Sequence, residues 1–556
     1  MSGSQRAGSA VEEIKRASRQ LRGDLAKQLA NGEPNFTNDA EQLLKFHGIY
    51  AQDHRDVRRE RSVAGQPLEY IFMIRVAIPG GRLTGDQWLA LDRIAGELAD
   101  GSIRLTTRQA VQFHGVSKAD LRSLAQQLDS NLMTSFGACG DVVRNTVSCP
   151  TLGNEDPGGP LARLADGLSK AFKSTSTARW EIFVNGERAA TREVQQERSF
   201  YGDTYLPRKF KIGIANPEEN CVDVFTQDIG LIPGKVDSLG CCYHVLVGGG
   251  LGRSYAHPDT FARLADPLTF VSDDQLEQLI AAILHTYRDL GDRGDRRRAR
   301  MKYVVADLGI ERFRKEIESR LGGELAPPRH FAWPSEADDH LGWRRLADGA
   351  WQIGVRVGAG RVRNESGGPR LRSALRELAA CGDFRFLITA QQDVIVSEIG
   401  ADQRRWVEQL LSSFGVARAE DLGRVERLAL ACPALPTCGL ALAEAERRLP
   451  ELVSLIEQEL HKRSPGRRRI QLRMTGCPNG CARPAVAEVG VIGRSKSTYD
   501  LYIGGGLRGD RLASLYREKV TLEEIPGLLA PLFERWECEG EREESFGDFL
   551  NRAVLS

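Results

Sequence analysis

Apolar and polar residues alternate along the chain in a way that predicts short strands followed by amphipathic helices. A strand pattern covers residues 71–83 (IFMIRVAIPGGRL) and ends at a glycine turn, and residues 86–99 follow with helical spacing. A second strand pattern covers residues 103–113. The same order of patterns returns in the second half of the chain. We therefore expect an α+β fold assembled from repeated units.

Segment matches in a constant order indicate an internal duplication. Thr106 and Gln109 fall on Thr389 and Gln392 when the two strand–helix–strand patterns are aligned. The matched segments are 71–83 with 351–362, 86–99 with 369–382, 103–113 with 386–396, 208–221 with 468–481, 228–232 with 488–492, and 247–252 with 503–508. The chain is therefore predicted to have the order A-B-A′-B′. A and A′ are small β-α-β units, and B and B′ are larger α/β units.

Five parts of the chain follow from this order. They are an N-terminal arm (1–62), unit A (63–150), unit B (151–343), unit A′ (344–420) and unit B′ (421–556). Residues 12–30 are charged with helical spacing, which predicts a surface helix or an extended arm, and a disordered tail is expected before it. Residues 326–343 contain prolines and are expected to link the two halves.

Four cysteines near the C-terminus predict an iron–sulfur site. Cys432 and Cys438 are separated by five residues, and Cys477 and Cys481 by three. Two loop-like pairs of thiolates suit a 4Fe-4S cluster, whereas zinc knuckles usually have two intervening residues. In unit B the equivalent loop, 216–221, keeps one cysteine, and no match to Cys432 or Cys438 is evident. Only unit B′ is therefore expected to hold a cluster.

The two cysteine motifs, ACPALPTC (431–438) and GCPNGC (476–481), resemble those of the sirohaem-containing sulfite and nitrite reductases. The resemblance extends over residues 13–549. It implies a pseudo-twofold protein with two ferredoxin-like half-units and two α/β domains around one sirohaem and one 4Fe-4S cluster. It also implies that Cys432, Cys438, Cys477 and Cys481 bind the cluster, and that Cys481 bridges the cluster to the sirohaem iron.

The same resemblance assigns a basic pocket. It implies that the substrate is bound by Arg75, Arg144, Lys209 and Lys211. The residues that it places around the sirohaem are Arg104, Thr106, Arg108, Gln112, Arg208, Lys302, Gln392 and Asn479. Arginine and lysine suit an oxyanion substrate and a macrocycle with carboxylate side chains. Lys209 and Lys211 are two residues apart, so an extended chain directs both to one face, which is costly to bury unless an anion lies between them.

The expected reaction is the six-electron reduction of sulfite to sulfide. Two alternatives stay open: reduction of nitrite to ammonia on the same cofactors, and electron transfer by an iron–sulfur protein without catalysis. Lys211 favours sulfite, because nitrite-reducing relatives tend to have asparagine there. Tyr50 in HGIY and Cys139 in ACGD match a pair that is crosslinked in some relatives. Other relatives have the tyrosine without the crosslink, and the default expectation is an ordinary packed tyrosine and a free thiol.

The amino-acid composition argues against some classes of binding partner and favours others. The chain has 76 basic and 75 acidic residues, a net charge of +1, which argues against a general nucleic-acid-binding protein. The sequence lacks an apolar run of membrane-spanning length and a secretory signal pattern, and its 11 unevenly placed cysteines suit a reducing cytoplasm. Because flavin and nicotinamide motifs are lacking, we expect electrons from a partner, either an NADPH-dependent flavoprotein or ferredoxin.

Two further patterns are expected to be structural. The charge run 288–302 predicts a solvated helix or loop, with Lys302 as the exception. The glycine runs 248–250 and 504–506 match neither a dinucleotide-binding fingerprint nor a P-loop, so tight turns are expected there.

Overall fold

The computed structural model describes residues 8–150, 159–174, 176, 181–184, 187–191, 200–235, 241–331, 338–466 and 469–556. The tail predicted to be disordered lies mostly outside these residues, as does the middle of the predicted link between the halves.

The strands are β1 (Ile49–Asp53), β2 (Tyr70–Val76), β3 (Arg82–Thr84), β4 (Ile103–Leu105), β5 (Val111–Val116), β6 (Val147–Ser148), β7 (Glu181–Val184), β8 (Glu187–Thr191), β9 (Ile212–Ile214), β10 (Ile229–Lys235), β11 (Cys241–Val247), β12 (Asp266–Ser272), β13 (Gly342–Arg345), β14 (Trp351–Val355), β15 (Arg361–Val362), β16 (Arg385–Ile388), β17 (Val394–Ile399), β18 (Leu430–Ala431), β19 (Leu472–Thr475), β20 (Val489–Gly493), β21 (Tyr499–Ile503) and β22 (Ser514–Val520).

The helices are α1 (Ala10–Ala17), α2 (Leu25–Ala30), α3 (Asn38–Leu44), α4 (Arg58–Val63), α5 (Gly85–Leu98), α6 (Leu121–Ser130), α7 (Pro160–Ala171), α8 (Asp273–Leu290), α9 (Met301–Leu308), α10 (Ile310–Leu321), α11 (Leu371–Cys381), α12 (Arg404–Ser413), α13 (Leu449–Arg463), α14 (Ile525–Glu539) and α15 (Phe546–Ala553). Within the described ranges, none of them is both long and apolar enough to cross a bilayer.

Four five-stranded sheets form two matched pairs and confirm the predicted duplication. The sheet of unit A has the order β1-β2-β5-β4-β15, and that of unit A′ has the order β13-β14-β17-β16-β3. The sheet of unit B has the order β12-β11-β10-β9-β6, and that of unit B′ has the order β22-β21-β20-β19-β18. Each strand of these four sheets thus has a counterpart in the other half, and the two-stranded sheet of β7 and β8 is an addition to unit B. The matched helices α5 and α11, both predicted from the sequence, pack against each other.

The two halves exchange their short edge strands. β3 follows unit A's first strand but pairs with β16 of unit A′, and β15 follows β14 but pairs with β4 of unit A. Each exchange comes after a tight turn, at Pro79–Gly81 and Gly358–Gly360, in which the middle residue has a positive φ. Because each sheet is completed by a strand from the other half, A and A′ form one interlocked body.

The second strand predicted in each half is in fact a hairpin. Residues 103–113 comprise β4 and β5, and residues 386–396 comprise β16 and β17. Gln109 and Gln392 end the two turns with φ of 52° and 69°, a left-handed conformation that interrupts the strand. In each turn the threonine three residues earlier accepts a backbone hydrogen bond, to Thr106 from Ala110 and to Thr389 from Asp393. The alternation of apolar and polar residues continues through each turn, so the sequence pattern did not reveal that the strand is interrupted there.

The two glycine runs form close backbone contacts, as the prediction of tight turns requires. A Cβ added to Gly249 would lie 2.5 Å from the carbonyl oxygen of Gln227 and nearer still to that of Phe225. Gly505, its counterpart, approaches the carbonyl oxygens of Val486 and Ala487 equally closely. Only a residue without a side chain fits at either position.

The N-terminal segment is part of the core, which differs from the prediction of a surface arm. β1 pairs with β2 along its full length and so belongs to the sheet of unit A. Leu21, Phe36, Leu43 and Phe46 are among its side chains in the main hydrophobic core, which also includes residues of A, B and A′. A second core lies mostly within unit B′. The repeat therefore begins before residue 62.

Helix α1 is fixed by buried charges. The Lys15 ammonium group lies 3.5 Å from Asp141 and donates to the carbonyl oxygen of Leu206 at 3.0 Å, and its side chain is fully buried. The carboxylate of Glu12, also buried, faces Lys15 and the guanidinium of Arg293, at 2.5 Å from the latter. Sequence reasoning missed this because charged residues of a helix such as Glu12 and Lys15 are ordinarily solvated.

The charge run 288–302 supplies some of these partners. Arg296 pairs with Asp141 at 2.9 Å, and the buried Arg300 pairs with Asp228 at 2.8 Å. The prediction of a wholly solvated segment is therefore wrong for these arginines. A charge run can face inward when acidic residues from distant parts of the chain meet it, which composition alone does not reveal.

The halves also meet through one pair of equivalent residues. Asp223 and Arg483 occupy the same position in the aligned segments of B and B′, and both have a left-handed backbone with φ of 47° and 60°. Their side chains are buried and form an ion pair at 3.0 Å, and Arg473 also contacts Asp223 at 2.5 Å. The pseudo-twofold relation therefore passes close to this pair.

Candidate functional site

Four cysteine thiols converge at one end of the unit B′ sheet. Cys432 directly follows β18, while Cys477 and Cys481 follow the neighbouring parallel strand β19, so the strand ends bring the two sequence-distant pairs together. Cys432, Cys438 and Cys477 each lie within electrostatic range of the Cys481 thiol. The predicted cluster ligands are thus gathered in one place.

Backbone and side-chain hydrogen bonds shape the loops that carry these thiols. The amide of Gly476 donates to the Cys432 sulfur at 3.4 Å, and Thr107 of unit A donates to the carbonyl oxygen of Cys481 at 3.0 Å. Arg55, from the N-terminal segment, donates to the carbonyl oxygen of Cys438 at 3.3 Å. Three parts of the chain therefore support the cysteine loops.

Burial raises the pKa values of Cys432, Cys438 and Cys477 and so favours the protonated thiol at these three positions. Desolvation, together with the neighbouring Cys481, raises the pKa of Cys477 to about 12 and raises the pKa of Cys432. Bound iron favours the thiolate strongly enough to overcome such a shift. The chemistry of the donor set, four thiols in two short loops with backbone amides nearby, fits a 4Fe-4S cluster.

A row of polar side chains crosses the sheet of unit A beside this site. Arg75 on β2 lies opposite Gln112 on β5, Gln112 lies opposite Arg104 on β4, and Arg104 lies opposite Arg361 on β15. Cross-strand partners share a face of the sheet, so the register sets all four side chains on one side. With its amide oxygen turned toward Arg75, Gln112 accepts a hydrogen bond from Nε at 3.1 Å.

Glu446 of unit B′ binds the far end of this row. It accepts hydrogen bonds from Arg104 Nε at 2.9 Å and from Arg361 Nε at 2.7 Å. Arg104 also donates to the carbonyl oxygen of Ala431, the residue before Cys432, at 2.7 Å. Sequence reasoning missed Glu446, because no local motif links it to two arginines more than 80 residues away.

The four basic residues predicted to bind substrate converge on one site. Arg75 donates to the Cys139 sulfur at 2.9 Å, and Arg144 donates to the carbonyl oxygen of Gly140 at 2.9 Å. Arg144 and Lys209 lie within electrostatic range of each other, as do Lys209 and Lys211. Lys209 and Arg75 are also within range of the Cys481 thiol. The basic site thus adjoins the cysteine loops.

The electrostatics of this basic site are those of a site for anions. Burial, with the positive charges of Arg208 and Arg300, lowers the pKa of Lys209 to about 7. Burial and the charge of Arg108 lower the pKa of Lys211 far below its usual value, and Asp228 opposes this shift only in part. A negatively charged ligand would relieve this repulsion. Uncompensated buried cations are costly to a fold, which makes binding of an anion the natural explanation.

The residues predicted to surround the macrocycle divide into two groups. Arg104, Lys302 and Gln392 are buried and donate to backbone carbonyl oxygens; Lys302 reaches Gly252 at 2.7 Å, and Gln392 reaches Ala431 at 2.9 Å. The second group is Thr106, Arg108, Gln112, Arg208 and Asn479; of these, Gln112 is buried and Arg108 also donates to the carbonyl oxygens of Asn145 and Ile212. Arg108 donates to Gln227 at 2.8 Å, Arg208 lies 3.5 Å from Asp141, and Asn479 is exposed. The first group is thus already engaged by the protein.

Tyr50 and Cys139 are brought together beside Arg75. The Tyr50 hydroxyl and the Cys139 thiol are close enough to hydrogen-bond, and burial followed by this thiol raises the pKa of Tyr50. Cys139 is a free, fully buried cysteine. The pair therefore borders the basic site, as the two motifs predicted.

A cavity of about 430 Å³ opens next to Arg144. Met133, Phe136 and Asn145 are among its walls, as are Lys170 in the last turn of α7 and Lys173 just after the helix. None of the four cysteines of the cluster loops lines this cavity. The site itself is framed instead by the row of polar side chains and the cysteine loops.

Comparisons with known proteins identify the family. The family model described as a nitrite/sulfite reductase ferredoxin-like half domain matches residues 65–131, within unit A. The model described as a nitrite and sulphite reductase 4Fe-4S domain matches residues 169–325, within unit B rather than the copy that carries the cysteine pairs.

Curated relatives match along nearly the whole chain. A protein of Paenibacillus sp., named an NADPH sulfite reductase hemoprotein beta-component, is 41% identical over 557 residues, covering 98% of this chain and 95% of that protein. One from Synechococcus elongatus, named a ferredoxin sulfite reductase, is 38% identical over 566 residues, covering 98% and 89%.

The fold also matches a solved structure. The NirA protein of Mycobacterium tuberculosis superposes with a TM-score of 0.80 at 23% sequence identity, covering 99% of this chain and 97% of that one. The duplicated architecture, the converging cysteines and the full-length relatives agree. The chain is therefore a member of the nitrite and sulphite reductase family.

Proposed function

We propose that this chain reduces sulfite to sulfide, with a sirohaem and a 4Fe-4S cluster bound in the site described above. The observation that carries the proposal is the convergence of Arg75, Arg144, Lys209 and Lys211 beside four cysteines, with Cys481 within electrostatic range of both sets. Relatives named sulfite reductase along the full length of the chain support the same reaction.

The residues of the site suit both cofactors. Cys432, Cys438, Cys477 and Cys481 would hold the cluster, with Cys481 on the side of the basic site. When bound, the sirohaem would supply the iron at which the substrate is reduced, and the cluster would supply single electrons. Arg108, Arg208 and the other predicted peripheral residues would bind the macrocycle carboxylates. We include Arg104, Thr106, Gln112, Lys302, Gln392 and Asn479 in this set.

The basic residues bind and orient the anion. Two arginines present planar donor pairs to the sulfite oxygens, while the two lysines present compact charges. Their mutual repulsion is relieved when the anion enters, so binding energy comes from a site strained in its empty form. Gln112 holds Arg75 in the plane of the row, and Gly140 holds Arg144.

The lysines also supply protons. Conversion of hydrogensulfite to hydrosulfide takes up six electrons and six protons and releases three waters. A lysine with a pKa of about 7, as at Lys209, exchanges its proton readily near neutral pH, which suits a general acid. Asp228 accepts a hydrogen bond from the Lys211 amide at 2.9 Å and pairs with Arg300. These contacts fix the backbone of Lys211 beside Lys209 in the basic site.

Replacement of Lys209 by methionine tests this role. We expect the Lys209→Met protein to keep its cofactor absorption bands but to lose at least about 100-fold in turnover of sulfite by reduced viologen, the usual contribution of a general acid. Lys462→Met is the matched control, because Lys462 is a surface lysine with a 63% exposed side chain. Full activity of Lys209→Met with intact bands would remove Lys209 from the mechanism.

Nitrite is the second candidate substrate, since it needs the same number of electrons. Lys211 favours sulfite on the family pattern, and the names of the relatives agree. Parallel assays with both anions decide between them. Fast nitrite turnover with negligible sulfite turnover would replace the proposal, and an iron–sulfur spectrum without macrocycle bands, despite a sirohaem supply, would leave a non-catalytic electron-transfer protein.

The electron donor is proposed to be a separate protein, either an NADPH-dependent flavoprotein or ferredoxin. Relatives named for each donor match this chain equally along its length. Reconstitution with each donor distinguishes them. The buried ion pairs of α1 mean that deletion of residues 1–45 would disrupt the core as well as any docking contact, so the donor test requires surface substitutions instead.

We also propose that Tyr50 and Cys139 form a covalent crosslink in the mature enzyme. Their proximity beside Arg75 supports this, and loss of two hydrogens per crosslink is the chemical signature. Mass spectrometry of a proteolytic digest gives a direct answer. Detection of both peptides separately, at unmodified mass and full yield, would establish an ordinary tyrosine and a free thiol.

A further inference from the structure

Unit B retains part of the cysteine arrangement that unit B′ uses for its cluster. Cys149 follows β6 and its amide donates to Ile214 at 2.9 Å, just as Cys432 follows β18 and its amide donates to Met474 at 3.2 Å. Cys221 occupies the place of Cys481 in the aligned segments. The expectation that nothing in unit B matches Cys432 is therefore wrong.

Alignment of the two halves of the chain identifies Cys149 as the counterpart of Cys432. The offset that places Thr106 on Thr389 also places Cys149 on Cys432. The offset that places Cys221 on Cys481 places Pro217 on Cys477. Residues 150–220 contain no cysteine, so only Cys149 and Cys221 are left, and this copy cannot hold a four-cysteine cluster.

The retained cysteines lie in a compact group of metal-binding side chains. The sulfurs of Cys149 and Cys221 are 3.1 Å apart, and a carboxylate oxygen of Glu219 lies within 4.8 Å of both. Glu219 Oε2 accepts the amide of Cys221 at 2.9 Å, which fixes the carboxylate beside the sulfurs. All three residues are buried, with 7% exposure or less.

His340, in the segment before β13, lies next to Glu219 at the edge of this group. Its Nε2 is 3.2 Å from Glu219 Oε1 and its Nδ1 is 3.7 Å from Asp338 Oδ2, although neither nitrogen forms a well-aligned hydrogen bond among the described residues. Its backbone has a φ of 58°, a strained conformation for histidine. A buried imidazole held against Glu219 by a strained backbone is the nearest side chain available as a fourth ligand for an ion bound by Cys149, Cys221 and Glu219.

We propose that Cys149, Cys221, Glu219 and His340 form a second metal site, which binds one zinc ion in unit B. Two thiolates with an imidazole and a carboxylate are a donor set that zinc prefers. This site is separate from the proposed reaction, since none of its residues belongs to the basic pocket or the cluster loops.

The geometry and charge of the group suit zinc. A tetrahedral ion with zinc–sulfur bonds of about 2.3 Å holds two sulfurs about 3.8 Å apart, so the thiols need to separate by about 0.7 Å. Two thiolates and one carboxylate leave the bound ion with one excess negative charge. Arg483 lies beside them and donates to the carbonyl oxygen of Cys221 at 3.3 Å, so a buried positive charge is already in place.

Metal analysis of the holoenzyme tests the proposal. We expect about one equivalent of zinc per chain in protein purified without chelators, in addition to the iron. Cys149→Ser and Cys221→Ser should each reduce zinc to below about a tenth of an equivalent and leave the iron content and the haem spectrum unchanged. The control variants are Cys242→Ser, at another buried cysteine, and Cys538→Ser, at an exposed one; both should keep their zinc.

X-ray absorption at the zinc edge of the wild-type protein gives a test that does not depend on the variants folding. Two sulfurs at about 2.3 Å with two lighter ligands support the proposal. Four sulfurs would mean zinc misplaced in the cluster site and would overturn it. Less than a tenth of an equivalent of zinc after incubation of reduced holoenzyme with Zn²⁺, or a Cys149–Cys221 disulfide by mass spectrometry, would also overturn it. The iron content and the sulfite assay report separately on the proposed function.

Discussion

Replacement of Glu446 by glutamine tests whether a buried charge holds the cluster loop in place. Glu446 bonds Arg104 and Arg361, and Arg104 in turn binds the residue before Cys432. Burial alone would raise the pKa of Glu446, but the two arginines outweigh it and lower the pKa from 4.5 to about 2. Each pKa unit corresponds to about 1.36 kcal/mol, so the ionised carboxylate contributes about 3 kcal/mol. Glutamine keeps the shape and loses that contribution.

The expected result is faster loss of the cluster. A local destabilisation of about 3 kcal/mol corresponds to about a hundredfold rise in the opening of the cluster loop, which chelator-driven bleaching of the iron–sulfur absorption measures. Glu444→Gln is the matched control, two residues away with a more exposed pair to Arg447. Exposed pairs contribute at most about 1 kcal/mol, so this variant should bleach nearly as slowly as wild type.

The stabilisation that Glu446 provides changes with pH in a direction that its lowered pKa determines. Because the folded-state pKa is depressed, the stabilisation by Glu446 is fully present above about pH 4.5 and is lost as the pH falls toward 2. The difference between wild type and Glu446→Gln should therefore shrink on acidification. Equal bleaching rates for the Glu446 and Glu444 variants at neutral pH, or a difference that grows with acid, would refute the reasoning.

Two further substitutions test the fold. Lys15→Met should destabilise the protein by about 3 kcal/mol, since it removes one partner from a buried ion network, and should expose α1 to proteolysis; Arg16→Met, in an exposed pair, should leave both urea midpoint and cleavage rate unchanged. Equal behaviour would contradict a structural role for α1. Gly249→Ala should cost at least about 1–3 kcal/mol in thermal or urea unfolding by forcing a Cβ against backbone oxygens, whereas Gly167→Ala, in the open face of α7, should stabilise slightly. A Gly249 variant as stable as wild type would show that the turn can relax.

The duplicated fold could be predicted because strand and helix patterns depend on residues that are close together in the sequence. Strand alternation, the helices α5 and α11, and the matched motifs survive in each half independently of long-range contacts. The hairpin turns at Gln109 and Gln392 were not predicted, because a left-handed glutamine has no sequence signature comparable to glycine. Element identity was thus easier to predict than element boundaries.

The site was predicted where motifs carry it and missed where partners come from afar. The four cysteines and the pair Lys209 and Lys211 lie in short diagnostic segments. Glu446 and Asp228 act through arginines that meet them only in the fold. The apparently polar helix α1 gave no hint of burial, since Lys15 becomes an interior residue only when Asp141 is opposite. Long-range charge pairing cannot be derived from local periodicity.

The ion pair between Asp223 and Arg483 excludes an assembly of two identical halves. In two identical subunits, a residue on the twofold axis faces its own copy, so aspartate would meet aspartate and arginine would meet arginine. Both like-charged pairs are unfavourable in a buried setting. Opposite charges at this point require two halves of different sequence, which the duplicated chain provides. The ion pair therefore requires that the two halves of the chain differ at this position. Neither half could be replaced by a second copy of the other.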